Sequence, residues 1–181
     1  MKKEYKYASI CFAIIAIGII SISYFYDEVD LKRTTTDDTN VDDTKFLRIA
    51  PELKGISGYI NTSSEKINRQ IEDKVVLYDF WTYSCINCIR TLPYLIEWDE
   101  KYSDDGLVIV GIHTPEFEFE KKYENVVFAT EKFGIKYPVI QDNEKEIWND
   151  FQNRYWPRKY ISDHEGFIRF DHIGEGAYKE T

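Results

Sequence analysis

Two apolar runs in the second half of the chain predict buried β-strands. Residues 74–81 and 106–112 are rich in β-branched and aromatic side chains, a pattern typical of strands covered on both faces. Between them, apolar residues recur every three to four positions from Ile89 to Tyr102, which predicts a helix with one buried stripe and a kink at Pro93. A strand, helix and strand of this length should pair in parallel with a right-handed crossover.

The following region predicts a second helix and strand, and then a third helix. Helical spacing over residues 119–133 ends at Gly134, a suitable residue just beyond a helix C-terminus, and precedes a short strand at 137–141. Asn143 followed by Glu146 has the form of a helix N-cap with an acid at the third position. We therefore expect a helix to begin at Asn143.

The last predicted elements are two strands, at residues 159–162 and 167–172, joined by a turn at 163–166. A turn this short permits only antiparallel pairing, whereas the earlier crossover requires parallel pairing. The expected fold class is therefore α/β, with one mixed sheet and helices on both of its faces.

The N-terminal part of the chain has a different character. Residues 7–26 carry no charge, and Lys2, Lys3 and Lys6 precede them. Such a run is about long enough to cross a hydrocarbon core of roughly 30 Å as a helix. Because no small-residue cleavage pattern follows, we predict a retained signal anchor over residues 1–26, with the N-terminus inside. Cys11 is interpreted as a small apolar residue of this segment rather than a lipidation site.

Residues 27–45 are acidic and threonine-rich, with few apolar side chains to bury, and are predicted to form a flexible linker. The folded domain is expected over residues 46–181. Overall, 32 acidic and 23 basic residues give a formal charge of −9. Binding to nucleic acid through its phosphate backbone is thereby excluded, because that binding needs clustered cations.

The chemistry of the chain is concentrated at Cys85 and Cys88, which form a C-x-x-C between the first strand and the first helix. A helix N-terminus stabilises a thiolate, so Cys85 is predicted to be a nucleophile. Cys88, one turn later, would attack the resulting mixed disulfide. Thr82 and Ser84 are candidate N-caps of this helix. The same C-x-x-C unit also occurs in zinc sites, so its spacing alone does not decide the chemistry.

The residues around this dithiol resemble the thioredoxin superfamily. The thioredoxin pattern D-F-W-x-x-x-C-x-x-C is matched from Asp79 to Cys88. Longer agreement places the chain near the thioredoxin-like domain of DipZ-type proteins, in the redoxin and TlpA-like branch, which also has an extra helix and strand inserted before the third helix. The motifs that carry it are Ser84-Cys-Ile-Asn-Cys88, His113-Thr-Pro-Glu-Phe117, Asn153-Arg-Tyr-Trp-Pro157 and Gly174-Glu-Gly-Ala-Tyr178.

The resemblance implies roles for individual residues. Asp79 corresponds to the buried aspartate that accepts the proton of the resolving thiol, and burial would raise its pKa as that role requires; the alternative is a carboxylate satisfied by the helix backbone. Trp81 corresponds to the tryptophan beside the active site. Pro157 corresponds to a cis-proline opposite the dithiol, which would leave the Trp156 backbone free to pair with an extended substrate.

The resemblance also implies the activity. It favours a membrane-anchored thiol-disulfide oxidoreductase, with its soluble domain on the extracytoplasmic side, acting on proteins that carry thiols or disulfides and served by a membrane redox partner. No metal or cofactor is expected beyond the Cys85–Cys88 disulfide. Thr91 replaces the acid that cytochrome-c-maturation reductases carry three residues after the second cysteine, which disfavours that specialised role. The family also closes with a helix after the Gly174 motif, whereas this chain stops at Thr181. Either that helix is missing or the end is a different one, and we expect the sheet face that it would cover to be exposed and apolar.

Two other functions remain open from the sequence. A thiol peroxidase is one, because Thr82 precedes Cys85 by three residues as in peroxiredoxins, although Tyr78 replaces their proline. A copper or other metal chaperone is the second, with His113 joining the two cysteines. For His113 by itself, a surface or turn position is the default expectation, and no role is assigned to Glu116.

Overall fold

Residues 48–181 are described by the computed structural model, and strands and helices alternate along them. The elements are β1 (Gly58–Ile60), α1 (Ile67–Ile71), β2 (Val75–Trp81), α2 (Ile86–Tyr102), β3 (Leu107–His113), a 3-10 helix (Glu118–Lys121), α3 (Tyr123–Lys132), β4 (Val139–Gln141), α4 (Glu146–Asp150), β5 (Arg158–Ser162) and β6 (Ile168–Ile173). The predicted membrane segment at 7–26 and the linker at 27–45 lie outside the described residues. Within 48–181, no helix is both long enough and apolar enough to cross a bilayer.

The strands form one six-stranded sheet in the order β1-β4-β3-β2-β5-β6. β2 pairs in parallel with β3, and β3 pairs in parallel with β4. The pairs β1–β4, β2–β5 and β5–β6 are antiparallel. The predicted mixed sheet, with a parallel crossover through α2 and a final antiparallel pair, is therefore confirmed.

Side chains of β2 supply the core on both faces of the sheet, because successive residues of a strand point to opposite sides. Tyr78 and Phe80 join the cluster covered by α1 and α4. Leu77 and Trp81 join the cluster covered by α2 and α3. Asp79 lies between these last two in sequence, so its carboxyl group points into the apolar layer beneath α2.

All five predicted strands are present, with ends that differ by at most two residues. β1 and α1 were not predicted, because elements of three and five residues are too short to show periodicity. β1 extends the sheet by pairing with β4 at its edge. The predicted helix at Pro93 is also present, and α2 continues through the proline to Tyr102.

The single helix predicted over 119–133 is wrong in its first turns. Residues Glu118–Lys121 form a 3-10 helix, and Lys122 then takes an extended backbone conformation before α3 begins. The predicted end is correct, since Gly134 adopts a positive φ of 73° just beyond the helix.

The predicted N-cap at Asn143 is also wrong. Lys145 directly precedes α4 with a left-handed backbone, and its side chain does not cap the helix. Instead, the Asp142 carboxylate accepts hydrogen bonds from the backbone amides of Ile147, at 3.1 Å, and Trp148, at 2.8 Å. The acid that stabilises this helix start therefore lies one residue earlier than the sequence pattern indicates.

Candidate active site

The junction between β2 and α2 holds the first cysteine at the helix N-terminus. Cys85 is itself the N-cap residue of α2, with an extended backbone at φ −73° and ψ 110°. The backbone amide of Cys88 donates a hydrogen bond to Cys85 Sγ at 3.3 Å. The prediction that Thr82 or Ser84 caps the helix is therefore wrong, because the sulfur occupies the capping position.

The two thiols have opposite environments. Cys85 is half-buried, whereas Cys88 is 0% exposed beneath it. A hydrogen bond from the Cys88 side chain, supported by the amides of Cys88 and Asn87, lowers the pKa of Cys85 to about 7. Burial raises the pKa of Cys88 well above its ordinary value, and the neighbouring Cys85 raises it further. At neutral pH the accessible sulfur is therefore partly ionised while the buried one keeps its proton.

Asp79 lies in the apolar layer on the Cys88 side of the sheet. Its side chain is 0% exposed, and Lys159 Nζ, whose side chain is 1% exposed, lies 3.4 Å from its Oδ1. Burial raises the pKa of Asp79, and the charge of Lys159 opposes that rise only in part. The Asp79 charge in turn contributes to the raised pKa of Cys88. A carboxyl group with a raised pKa next to a buried thiol can exchange a proton with it.

Sequence reasoning missed Lys159 altogether. The antiparallel register of β2 and β5 places it directly opposite Asp79. Within the described part of the chain, the two oxygens of Asp79 and the Nζ of Lys159 have no other hydrogen-bond partner. The alternative in which helix amides satisfy the Asp79 carboxylate is therefore wrong. The sequence does not show that Lys159 is buried beside Asp79, because this contact depends on the register of the two strands.

The three other predicted site residues are Trp81, Trp156 and Pro157. Trp81 is fully buried and packs edge-on to His113, with 5.4 Å between ring centroids. The Trp156–Pro157 peptide bond is cis, as the resemblance implies. Trp156 is half-buried, packs against the same cluster as Cys85, and donates its indole N–H to the Thr114 carbonyl at 3.0 Å.

Two buried polar side chains, His113 and Glu120, contact the loop that leads to Cys85. His113 is fully buried, so the expectation of a surface or turn position is wrong. Burial lowers the pKa of His113 to about 4, which makes the ring neutral at physiological pH. Its Nε2 lies 3.4 Å from the donating amide of Tyr83 and 3.3 Å from the Thr82 hydroxyl. Glu120, also missed from the sequence, is fully buried beside Ser84 and accepts its hydroxyl hydrogen bond.

The charges near the dithiol do not form a metal site in the described part of the chain. Among residues 48–181, no group of three or more His, Cys, Asp or Glu side chains could hold an ion. Glu116 is exposed, and its charge raises the pKa of Cys85. The arrangement therefore combines an ionisable sulfur, a protonated sulfur and a buried carboxyl group, which are the groups that thiol–disulfide exchange requires.

Comparison with known proteins identifies this arrangement. A family model described as thioredoxin-like matches residues 73–168, which is more than half of the 181 residues. The chain belongs to the thioredoxin-like family. The matched region includes β2, both cysteines, Asp79 and Lys159, so the site lies within the part that defines the family. The family and the dithiol together make this an oxidoreductase domain of the thioredoxin-like class.

Individual relatives of this thioredoxin-like domain differ in length. Protein DipZ of Mycobacterium tuberculosis is 46% identical over 134 residues, which are 73% of this chain and 19% of DipZ. The chain thus spans about a fifth of that relative. The thiol-disulfide oxidoreductase YkuV of Bacillus subtilis is 28% identical over 135 residues, which are 75% of this chain and 90% of YkuV.

A solved structure shows the same fold. The solution structure of a thioredoxin-like protein in the oxidized form has a TM-score of 0.63 and 27% sequence identity. The match covers 71% of this chain and 86% of that one. The thioredoxin-like architecture predicted from the sequence is therefore confirmed.

Proposed function

We propose that the protein exchanges disulfides with protein substrates, with Cys85 as the attacking and Cys88 as the resolving cysteine. The observation that carries this proposal is the contrast between the two thiols: the half-buried sulfur has its pKa lowered to about 7, and the buried sulfur has its pKa raised. Attack on a disulfide requires a thiolate that substrate can reach. Resolution requires a second sulfur that stays protonated until the mixed disulfide has formed.

The exchange has two balanced steps. In the first, the Cys85 thiolate attacks one sulfur of a substrate disulfide, a mixed disulfide forms, and the other substrate sulfur leaves as a thiolate. In the second, the Cys88 thiol transfers its proton to the Asp79 carboxylate, and its sulfur attacks Cys85 Sγ. The remaining substrate sulfur leaves, so the substrate is reduced by two electrons and the Cys85–Cys88 disulfide forms. With an oxidised dithiol, the same steps run in reverse.

The substrate chain is proposed to lie against Trp156 and Pro157. Trp156 packs against the cluster that contains Cys85, and its ring contacts Trp148 at an interplanar angle of 34° with centroids 4.1 Å apart. Its indole hydrogen bond to Thr114 fixes the ring further. A backbone held rigidly beside the nucleophile suits pairing with an extended segment of substrate, as in strand addition. Trp81, which is fully buried, would support this surface from beneath rather than touch substrate.

The cellular setting of the proposal comes from the N-terminal sequence. The uncharged run at 7–26, with three lysines before it, favours a single-pass anchor with the domain on the extracytoplasmic side. Substrates and the redox partner would then be proteins of that compartment or of the membrane itself. The test is extraction of membranes with alkaline carbonate, followed by labelling of intact cells with a membrane-impermeant maleimide. A protein released by carbonate would contradict the anchor, and a Cys85 protected in intact cells but labelled after lysis would contradict the orientation.

The activity itself is tested with insulin as a disulfide substrate. Wild-type protein should accelerate insulin reduction by a dithiol donor, and Cys85→Ser should abolish the acceleration. Cys88→Ser should accumulate a mixed disulfide between Cys85 and the substrate, visible by mass spectrometry. Insulin reduction that persists in Cys85→Ser would overturn the proposal. Peroxide consumption and metal content, measured on the same reduced preparation, test the peroxidase and chaperone alternatives.

A further inference from the structure

The loop before the nucleophile is held from one side. Residues 82–84, here called the redox loop, connect β2 to Cys85, and residues 113–120, here called the flanking segment, lie against them. The Thr82 hydroxyl and the Tyr83 amide both contact His113 Nε2. The Tyr83 hydroxyl donates to the carbonyl of Phe119 at 3.1 Å. Ser84 contacts Glu120. Every residue of the redox loop therefore contacts the flanking segment.

Within the flanking segment, Glu120 contacts Ser84, the residue that directly precedes the nucleophile Cys85. One carboxylate oxygen accepts from the Ser84 hydroxyl. The other accepts from the backbone amides of Glu116, at 2.6 Å, and Phe117, at 2.9 Å. Burial alone would raise the pKa of Glu120, but these hydrogen bonds, together with one from Thr82, lower it. The side chain therefore joins the two segments as an ionised, fully buried acceptor.

The geometry points to Glu120 as a positioning residue. It holds Ser84 and thereby keeps Cys85 in the N-cap conformation, in which its sulfur accepts the backbone amide of Cys88. This inference rests on the proposed function, because it concerns the nucleophile of that reaction. It assigns to Glu120 no contact with substrate and no proton transfer. Its effect on the reaction passes through the backbone of the redox loop.

The physical link is the short path from Ser84 to the sulfur. Cys85 accepts the amide of Cys88 with its own backbone extended, as the N-cap position of a helix requires. Ser84 is the preceding residue and is otherwise exposed, so its hydroxyl bond to Glu120 restrains the backbone on that side. Without this bond, we expect the redox loop to fluctuate and the sulfur to lose part of its hydrogen bonding, which raises the pKa of Cys85.

If Glu120 acted through its charge alone, its removal would shift the pKa of Cys85 in the opposite direction, and this difference makes the inference testable. A carboxylate near a thiolate disfavours the thiolate, so removal of the charge alone would lower the pKa of Cys85. Loss of positioning would raise it. Glu120→Gln separates the two effects, because its amide oxygen can accept from the amides of Glu116 and Phe117 while its NH₂ group donates to Ser84. Glu120→Ala removes both the charge and the contacts.

The experiment measures the pKa of Cys85 in the reduced full-length protein, from the pH dependence of its alkylation rate. We expect Glu120→Ala to raise that pKa by about one unit and to slow alkylation at pH 6 about tenfold. Glu120→Gln keeps the contacts and loses only the charge, so the pKa of Cys85 should stay at its wild-type value or fall slightly below it. Ser84→Ala should shift the pKa in the same direction as Glu120→Ala, but less. Glu124→Gln, at an exposed acid of α3, is the matched control and should have no effect.

Circular dichroism shows whether each variant is folded. If Glu120→Ala does not fold, the pKa of Cys85 in Ser84→Ala tests the inference instead. A pKa of Cys85 that falls or stays unchanged in both variants would overturn the inference, as would a Glu120→Gln variant that behaves like Glu120→Ala. Alkylation needs no protein substrate, so this result is independent of the insulin assay. A wild-type protein inactive on insulin would contradict the proposed function and leave the alkylation result interpretable.

Discussion

Two buried acids flank the dithiol, and their pKa values are shifted in opposite directions. Asp79 and Glu120 are both 0% exposed. Among the described residues 48–181, the Lys159 ammonium at 3.4 Å is the one polar group that contacts the Asp79 carboxylate, and the pKa of Asp79 is raised. Glu120 accepts hydrogen bonds from the hydroxyls of Ser84 and Thr82 and from two backbone amides, and its pKa is lowered. The hydrogen bonds to the Glu120 carboxylate outweigh the effect of its burial, whereas the single ammonium beside Asp79 does not.

The difference suits the two proposed roles. A proton acceptor for Cys88 must bind and release a proton near neutral pH, which requires a carboxyl group whose pKa is raised. A positioning residue must keep its hydrogen bonds at every pH at which the enzyme works, which requires a carboxylate that stays ionised. The sheet interior supplies the first environment at Asp79, and the amide-rich turn of the flanking segment supplies the second at Glu120.

The largest predicted effect comes from removing the Lys159 ammonium that lies beside Asp79. We expect Lys159→Met to lower the free energy of unfolding by about 3–5 kcal/mol at high pH, because it leaves a buried carboxylate without a counter-charge. Folding already raises the pKa of Asp79, and loss of the ammonium raises it further. Stability should therefore fall as pH rises through that pKa and be largely restored at acidic pH, where Asp79 is protonated in both states. Urea unfolding at several pH values measures this.

The control is the double variant Asp79→Asn with Lys159→Met. It contains neither buried charge, so its stability should depend on pH much less than that of Lys159→Met alone. A cost of Lys159→Met that is the same at acidic and alkaline pH would show that the lysine contributes packing rather than charge.

The second predicted effect concerns the resolving step. Asp79→Asn should slow the attack of Cys88 on the mixed disulfide about 100-fold, because the thiol loses its proton acceptor. Alkylation of Cys85 in the reduced protein should stay within about twofold of wild type, since the Cys88 side chain and the amides of Cys88 and Asn87 are the groups that lower the pKa of Cys85. Rapid-quench measurement of a preformed mixed disulfide separates the two rates. The double variant with Lys159→Met should show the same slowing, which excludes an effect of the unpaired lysine.

A third buried acid has an environment between these two. Asp142 accepts the amides of Ile147 and Trp148 at the start of α4, yet burial still raises its pKa. Asp142→Ala should cost about 1–2 kcal/mol of unfolding free energy, the usual loss for a helix cap. Thermal unfolding measures the cost. The alkylation rate of Cys85 should not change, and a change would show that α4 is coupled to the dithiol.

The sequence predicted the sheet well because its strands are long apolar runs. Residues 74–81 and 106–112 became the central parallel pair β2 and β3, and the helix between them followed from its apolar stripe. β1 and α1 escaped prediction because each is too short for a periodic signal. The break at Lys122 was not predicted because the helical spacing of apolar residues continues across it. Local periodicity thus predicts elements, but it does not locate interruptions of a single residue.

Apart from Trp156 and Pro157, which the family resemblance supplied, the active site was predictable only where its residues are close in sequence. Cys85 and Cys88 were evident from their spacing, and the family motif added Asp79. Lys159 reaches Asp79 through a strand register, and Glu120 reaches Ser84 through a turn of the chain 36 residues away. No spacing rule connects such residues, because the folded sheet alone brings them together.

The smallest predicted effect comes from an acid near the dithiol that is exposed. Glu116 raises the pKa of Cys85 through its charge alone, without the burial or the hydrogen-bond acceptance of Glu120. Glu116→Gln should therefore lower that pKa slightly and raise the alkylation rate at pH 6 by less than about twofold. Because solvent ions screen an exposed charge within about 3 Å at 1 M salt, the difference should vanish there. An effect that survives high salt would mean that Glu116, like Glu120, acts by holding the backbone rather than by its charge.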